Sequence, residues 1–388
     1  MPALLGGTGI IGKDIFVKMK AQKSASIQTA SGTAVTFPQS EERAFSGLSI
    51  YGHSTQSGTP SPDNPVPIVS AGDSGEINVA VSGKNLIPFP YLSPLGGAGT
   101  VYEADGVTYT VQADGGIKCV GTPTNQFGPS LCNIRFSDSQ INAQSSGGTD
   151  GEITLSGGPL YYDSNNSKTF IYWALYLNTP VDMTIYPQVE YGTVATAYEP
   201  YKTPQTLTLS TPGGLPGIPV DSGGNYTDES GQQWVCDEID LKSGKYVKRV
   251  EKIVIDGEEM KFTPDGLYWN LPQHSVEGVI YLSPIMSMYF PRGIFLVNND
   301  YDFIFTTSRL IGSYFSSVND LNEFCTEKSA EGQPLELYYG IEPIETDLPA
   351  EEIAAYKALH TYTPNTTVSN DAGAWMEVGY NEFSKQTF

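Results

Sequence analysis

The sequence predicts a mainly β, multi-domain chain: a β-sandwich and β-meander units, with one or two short helices near the C-terminus. Three observations predict it. Charged residues make up only 16% of the 388, well below the roughly 25% of ordinary globular proteins. The 41 glycines and 27 prolines imply frequent turns. The 24 tyrosines, with many threonines and valines, favour pleated strands over helices. The length suits about two to four domains.

Residues 1–30 read as an N-terminal arm, with "GKDIFVKMKAQK" as a short amphipathic piece. Residues 31–83 read as a β module: "TAVTFP" and "FSGLSIYG" alternate at strand period, and "EINVAVS" closes it at the Ser82-Gly83 turn. Inside it lies a proline-rich strap, "STQSGTPSPDNPVPIVSAGDSG". Pro60, Pro62, Pro65 and Pro67 fix φ and favour an extended path. The strap is therefore expected to be an ordered connector between this module and the next.

Residues 84–202 read as short strands at regular spacing. Asp114-Gly115-Gly116 is a hairpin turn. "KTFIYWALYLN" is expected to be one central strand, with Ile171, Trp173, Leu175 and Leu177 on one face and Phe170, Tyr172, Ala174 and Tyr176 on the other. Apolar residues on both faces imply two covering layers, as in a sandwich. Residues 203–388 begin as a meander broken at Asp228–Gly231 and Lys242–Gly244. Helices are expected near 318–328 and 350–359. In the second, Pro349 suits a first helical position, and Glu351 and Glu352 complement the helix N-terminus. "LELYYGI" and "WMEVGY" are strands.

Charge and motifs exclude several functions. A net charge of −22 offers no basic stripe for nucleic acid. Lys242, Lys245, Lys248, Arg249 and Lys252 are interleaved with Glu251 and read as a solvated β face. No apolar stretch approaches the about 18 residues of a membrane span. The N-terminus lacks the basic start of a signal peptide. Cys119, Cys132, Cys236 and Cys325 show no disulfide or zinc spacing and are expected to be thiols of a protein made in the cytosol. A Cys119–Cys132 bridge is the alternative.

"GTGIIG", Gly7 to Gly12, matches GxGxxG. Too few residues precede it for a strand, and no acid occurs between Asp14 and Glu41 to take a ribose hydroxyl. His53, His274 and His360 form no triad or metal pattern. "NNDYD" at 298–302 is a weak calcium candidate, without the DxDxDG pattern of a calcium loop. No catalytic residue, cofactor or metal is expected. The stretch "PLYYDSNNSKTFIYW" offers flat aromatic faces with adjacent amide and carboxylate groups, as a glycan site requires. Its candidates are Tyr161, Tyr162, Asp163, Asn165, Asn166, Tyr172 and Trp173. The competing reading makes Tyr172 and Trp173 core residues beside a polar turn.

Five segments together carry a resemblance: "YGHSTQSGTPSPDNPVPIVSAGD", "GKNLI", "PQVEYGTVATAYEPY", "LPGIPVDSGGNYTDESGQQWVCDEIDLKSGKYVKRV" and "AAYKALHTYTPNTTVSNDAGAWMEVGY". In this order they resemble minor tail proteins of phages and prophages of Gram-positive gut bacteria. These are described as tail fibre, tail tip or baseplate components. The stretch ending in "YEPY" is similar to the last strand of a carbohydrate-binding-module-like jelly roll, which implies that fold for 84–202.

The resemblance implies a structural, non-enzymatic part of the virion, made in the host cytoplasm. It would contact other tail and baseplate proteins and a host cell-surface glycan, without inserting into a membrane. The N-terminal arm would dock on the tail, and closed symmetry suggests a homotrimer. A purely structural subunit, a glycan-degrading tail enzyme and a free glycan-binding adhesin are the alternatives. The enzyme reading lacks the repetitive ladder of long β-helices, and the adhesin reading lacks a wall anchor.

Overall fold

A computed structural model describes residues 23–28, 34–55, 68–132, 153–158, 160–163, 170–173, 175–192, 194–255, 261–263, 266–270, 275–282, 296–297, 302–305, 318–332 and 335–382. The chain is mainly β, with several separate sheets and two helices among the described residues. The GxGxxG segment and most of the N-terminal arm lie outside the described residues. None of the described helices is long and apolar enough to cross a membrane.

The base of the molecule is two packed sheets. One has seven strands in the order Lys23–Gln28, Trp375–Glu382, Gly47–Tyr51, Glu238–Asp240, Lys245–Ile255, Leu335–Asp347, Ser275–Leu282. The other has four, in the order Gln205–Ser210, Glu76–Ser82, Asn365–Asn370, Ala34–Pro38. The reason is written in the period of two. In Glu76–Ser82, Ile77, Val79 and Val81 point inward and are fully buried. Leu207 and Leu209 do the same on the neighbouring strand. They meet Leu48, Ile50, Ile239, Met376 and Val378 of the larger sheet in one core. Phe37 and Tyr380 stack across the two sheets, centroids 4.4 Å apart. Each fully buried aliphatic side chain here stabilises the fold by roughly 1.5–3 kcal/mol.

This base redraws the expected domain division. Residues 34–82 and 205–382 supply strands to the same two sheets and share a core, so they are not separate modules. The strap is not a connector to the next unit either. Ser54 pairs with Ser70 and Thr55 with Val69. The two ends of the strap are thus paired with each other, and residues 56–67 lie outside the described residues.

Two excursions leave the base. Glu76–Ser82 and Gln205–Ser210 are antiparallel neighbours, with Val81 across from Gln205, so everything between them is an insertion. The insertion has its own core, built around Ile87, Leu95, Val107, Tyr109, Ile117, Leu131, Ile153 and Val189. Its four-stranded sheet runs in the order Val181–Ile185, Ile117–Gly121, Val107–Val111, Val101–Ala104. Ile153–Ser156 pairs with Gln188–Tyr191 across that core.

The expected single strand over "KTFIYWALYLN" is shorter. It covers Phe170–Trp173 and pairs with Leu160–Asp163. Leu175 is buried, but Tyr176 to Thr179 form a turn closed by Thr179 N donating to Tyr176 O, with Asn178 at φ 56°. The turn signal Asn-Thr-Pro outweighs the apolar alternation that precedes it.

The second excursion, 256–334, springs from the long hairpin of Lys245–Ile255 and Leu335–Asp347. It includes Ser275–Leu282, which returns to the seven-stranded sheet, a small sheet of its own, and helix α1, Val318–Ala330. Helix α2, Ala350–Ala358, packs on Gln205–Ser210, burying Tyr356. Pro349 stands one position earlier than expected, at its N-cap.

Candidate functional site

The hairpin chosen from sequence is present as backbone. Its register sets Tyr161 across from Tyr172, Leu160 across from Trp173, Tyr162 across from Ile171 and Asp163 across from Phe170. Strand alternation therefore divides the candidate set. Tyr161, Asp163 and Tyr172 belong to one face, and Tyr162 and Trp173 to the other. Asn165 and Asn166 lie outside the described residues. The five candidates on the described strands do not form a single face.

The motif segments themselves meet at two joints. The first is the neck of the insertion. Lys84, almost wholly buried, donates to Thr196 Oγ1 and Ala197 O, both at 2.6 Å, and pairs with Glu199 at 2.8 Å. Asn85 Nδ2 donates to the carbonyls of Pro187 and Glu199, each at 3.1 Å, while its Oδ1 accepts from Ile87 N. Buried Gln188 and Glu190 complete the network, Glu190 accepting from Thr196 N and Oγ1. Asn365 of the base donates to Glu199. "GKNLI" and "PQVEYGTVATAYEPY" are thus the two halves of one buried clasp. A fully satisfied network of this kind fixes one geometry.

The second joint is aromatic. Trp375 lies 4.7 Å from Tyr226, 4.8 Å from Trp234 and 4.2 Å from His53, centroid to centroid. Tyr51 packs tilted against Tyr226 at 4.9 Å and donates to Glu377 at 3.2 Å. Trp234 Nε1 donates to Asp228 Oδ2 at 3.0 Å. Burial holds the His53 imidazole below its ordinary pKa, so it is neutral among these rings. "YGH", "NYTDESGQQW" and "GAWME" contribute to it, three chain segments far apart in sequence.

Beside these joints a cleft of about 620 Å³ opens between the 210–216 loop, the Lys245–Ile255 strand and the start of α2. Its buried carboxylate is Asp237. Asp237 Oδ1 accepts from Arg249 N at 2.7 Å and from Val250 N at 2.8 Å, and Oδ2 accepts from Tyr246 OH at 2.6 Å. These two amides flank the register shift between Lys248 and Val250, so the carboxylate fills the gap left by a β-bulge. Burial pushes its pKa up to about 6, against the pull of those hydrogen bonds. On the opposite wall Glu352 accepts from Ser210 N at 3.0 Å. The nearby cations are paired: Lys248 with Glu251, Arg249 with Glu238 and Lys252 with Glu336. Every carboxylate named here has a structural partner, which makes the cleft wall a brace for the long hairpin.

Cys119, Cys132, Cys236 and Cys325 are all buried free thiols. Burial pushes the Cys119 thiol up to about 12, which makes it a poor nucleophile at neutral pH. Among the described residues no group of three His, Cys, Asp or Glu side chains is placed to hold a metal ion. Three features escaped the sequence reading: the clasp, Asp237, and a cluster of exposed apolar residues at Phe127, Tyr176 and Leu177. Only the last had a signal, the polar "YLNTP" turn. No family model, curated protein or solved structure matches the chain.

Proposed function

We propose that the chain is a non-enzymatic component of a phage tail or tail-like particle, part of its fibre or baseplate, that takes part in host attachment by binding a cell-surface glycan. One observation carries the reading. A separately cored β unit is inserted between two neighbouring strands of a larger β base and gripped at its neck by a buried polar clasp. That is the layout of a display element held rigidly on a platform. The segments that resemble minor tail proteins supply the clasp at the neck of the insertion and the aromatic joint within the base. The base then serves other tail proteins, in a closed homotrimer, and the insertion serves the host surface.

Gold-labelled antibody against the purified chain, applied to particles released from the producing bacterium, is expected to mark the tail end. Tail-bearing particles that carry no label, and whose tails lack the chain by mass spectrometry, would remove the reading.

A further inference from the structure

The inserted unit's four-stranded sheet has two ends. One runs toward Pro187 and the neck clasp. At the other, two loops lie side by side: 122–127, leaving Ile117–Gly121, and 175–180, entering Val181–Ile185. Leu175 N donates to Gln126 O at 2.7 Å and Asn178 N to Pro123 O at 2.9 Å. This antiparallel pairing sets Tyr176 across from Asn125. A third loop joins them. Thr124 N donates to Asp105 O at 2.8 Å, and Asn125 Nδ2 donates to Asp105 Oδ2 at 3.3 Å. Asn125 Oδ1 accepts from Phe127 N at 3.3 Å. Asp105 and Asn178 are the non-glycine residues with left-handed backbone among the described residues, at φ 49° and 56°. Short polar side chains tolerate that conformation. The loops therefore have a set shape.

On this frame Tyr176 is 83% exposed, Leu177 48% and Phe127 47%. A single exposed apolar side chain needs no explanation, but three on two hydrogen-bonded loops form a patch. The patch has flat ring faces beside amide and carboxylate groups, all exposed. Ring faces suit the C–H face of a pyranose, and amides and carboxylates suit its hydroxyls. No lysine or arginine occurs in 103–106, 122–127 or 175–180, while Glu103 and Asp105 do. An anionic polymer would find no counter-charge here.

The geometry points to this loop end as a binding surface for a neutral saccharide, stacked on Tyr176 and hydrogen-bonded by Asn125 and Asn178. The inference rests on the attachment reading and deepens it. It moves the sugar from the 160–173 hairpin to the loops that follow it.

The test uses the full chain, a panel of neutral oligosaccharides of hexose and N-acetylhexosamine units, and dextran sulfate as the polyanion. Titration calorimetry should detect a neutral saccharide and no response to dextran sulfate. Tyr176→Ala should weaken binding at least about fivefold, and Tyr176→Phe, which keeps the ring, should restore it. Tyr176 is exposed, so unchanged thermal unfolding confirms that its variants are folded. Binding that is unaffected by Tyr176→Ala but lost in Tyr161→Ala would overturn this site and keep the glycan reading. Failure to bind any panel member would overturn both. Preference for dextran sulfate would overturn the neutral class. Self-association of the wild-type chain that Tyr176→Ala abolishes would make the patch a protein interface and overturn the saccharide.

Discussion

Gly52 and Gly217 stand backbone against backbone. A Cβ on Gly52 would lie 2.1 Å from Pro216 O, and one on Gly217 would lie 2.2 Å from Gly52 O. Neither contact is with a flexible side-chain end, so neither can yield cheaply. His53 N donates to Leu215 O and Gly52 N to Asp237 O at the same place. The close approach lets three segments of the base share one seam.

Gly52→Ala and Gly217→Ala are each expected to destabilise the base by about 2 kcal/mol or more, through forced separation of this seam. Urea unfolding should show the loss in the transition that reports the base tryptophans. Tyr176→Ala, remote and exposed, serves as the control with no change in midpoint.

Asp237 sets a pH dependence with an unusual sign. Its folded pKa, about 6, is above the ordinary carboxylate value of 3.8. The folded state therefore takes up the proton first, and this group's contribution to stability rises as pH falls from about 6 toward 4. His53 acts oppositely. Its folded pKa is held below 6.5, so its contribution is present above 6.5 and is lost as pH falls below it. Asp237→Asn keeps an acceptor for Arg249 N and Val250 N and removes the charge. It should fold, be at least as stable as wild type at pH 7, and lose stability more steeply between pH 6 and 4. Thermal melts across that range measure it. Asp237→Ala, which strands two amides, should cost about 2–4 kcal/mol at pH 7 and more as pH falls toward 4.

The neck clasp depends on a buried charge pair. Lys84→Ala leaves Glu199 buried with Asn365 as its remaining named partner and should destabilise the inserted unit by about 3–5 kcal/mol. Amide hydrogen exchange followed in peptides from 84–132 and 175–199 reads this loss apart from the base.

The insertion should also be removable. Residues 83–204 bridge neighbouring antiparallel strands in which Val81 faces Gln205, so Asn-Gly placed between Ser82 and Gln205 leaves a three-residue connection, Ser82-Asn-Gly, that closes the hairpin. The shortened chain is expected to unfold cooperatively. Residues 83–204 alone are long enough for an independent core and should fold, judged by a single cooperative melt.

The β class was legible because low charge and many turn residues leave few alternatives. Individual strands were legible wherever one face is buried: Ile77, Val79 and Val81 announce themselves at period two. Helix α2 was legible from Pro349 and two acids in its first turn. Pairing was not. Nothing in the spacing of Ser82 and Gln205 marks their strands as neighbours, because register between distant segments is set by tertiary packing. For the same reason the strap passed for a connector. The length of the predicted central strand was misread for a local reason. Tyr176 extended an apolar alternation that hid the turn, so a residue at the surface was counted as one face of a buried strand.

The topology imposes an order on synthesis. Ala34–Pro38 must wait for Asn365–Asn370, and Gly47–Tyr51 for Trp375–Glu382. Loop closure over more than 300 residues is slow and entropically costly. The inserted unit closes on partners within its own span. On the ribosome it can mature soon after its last residue emerges, while the base stays open until residues 365–382 have emerged. Termination before residue 365 would therefore release a folded insertion on an unfinished base, whose unpaired strand edges invite aggregation.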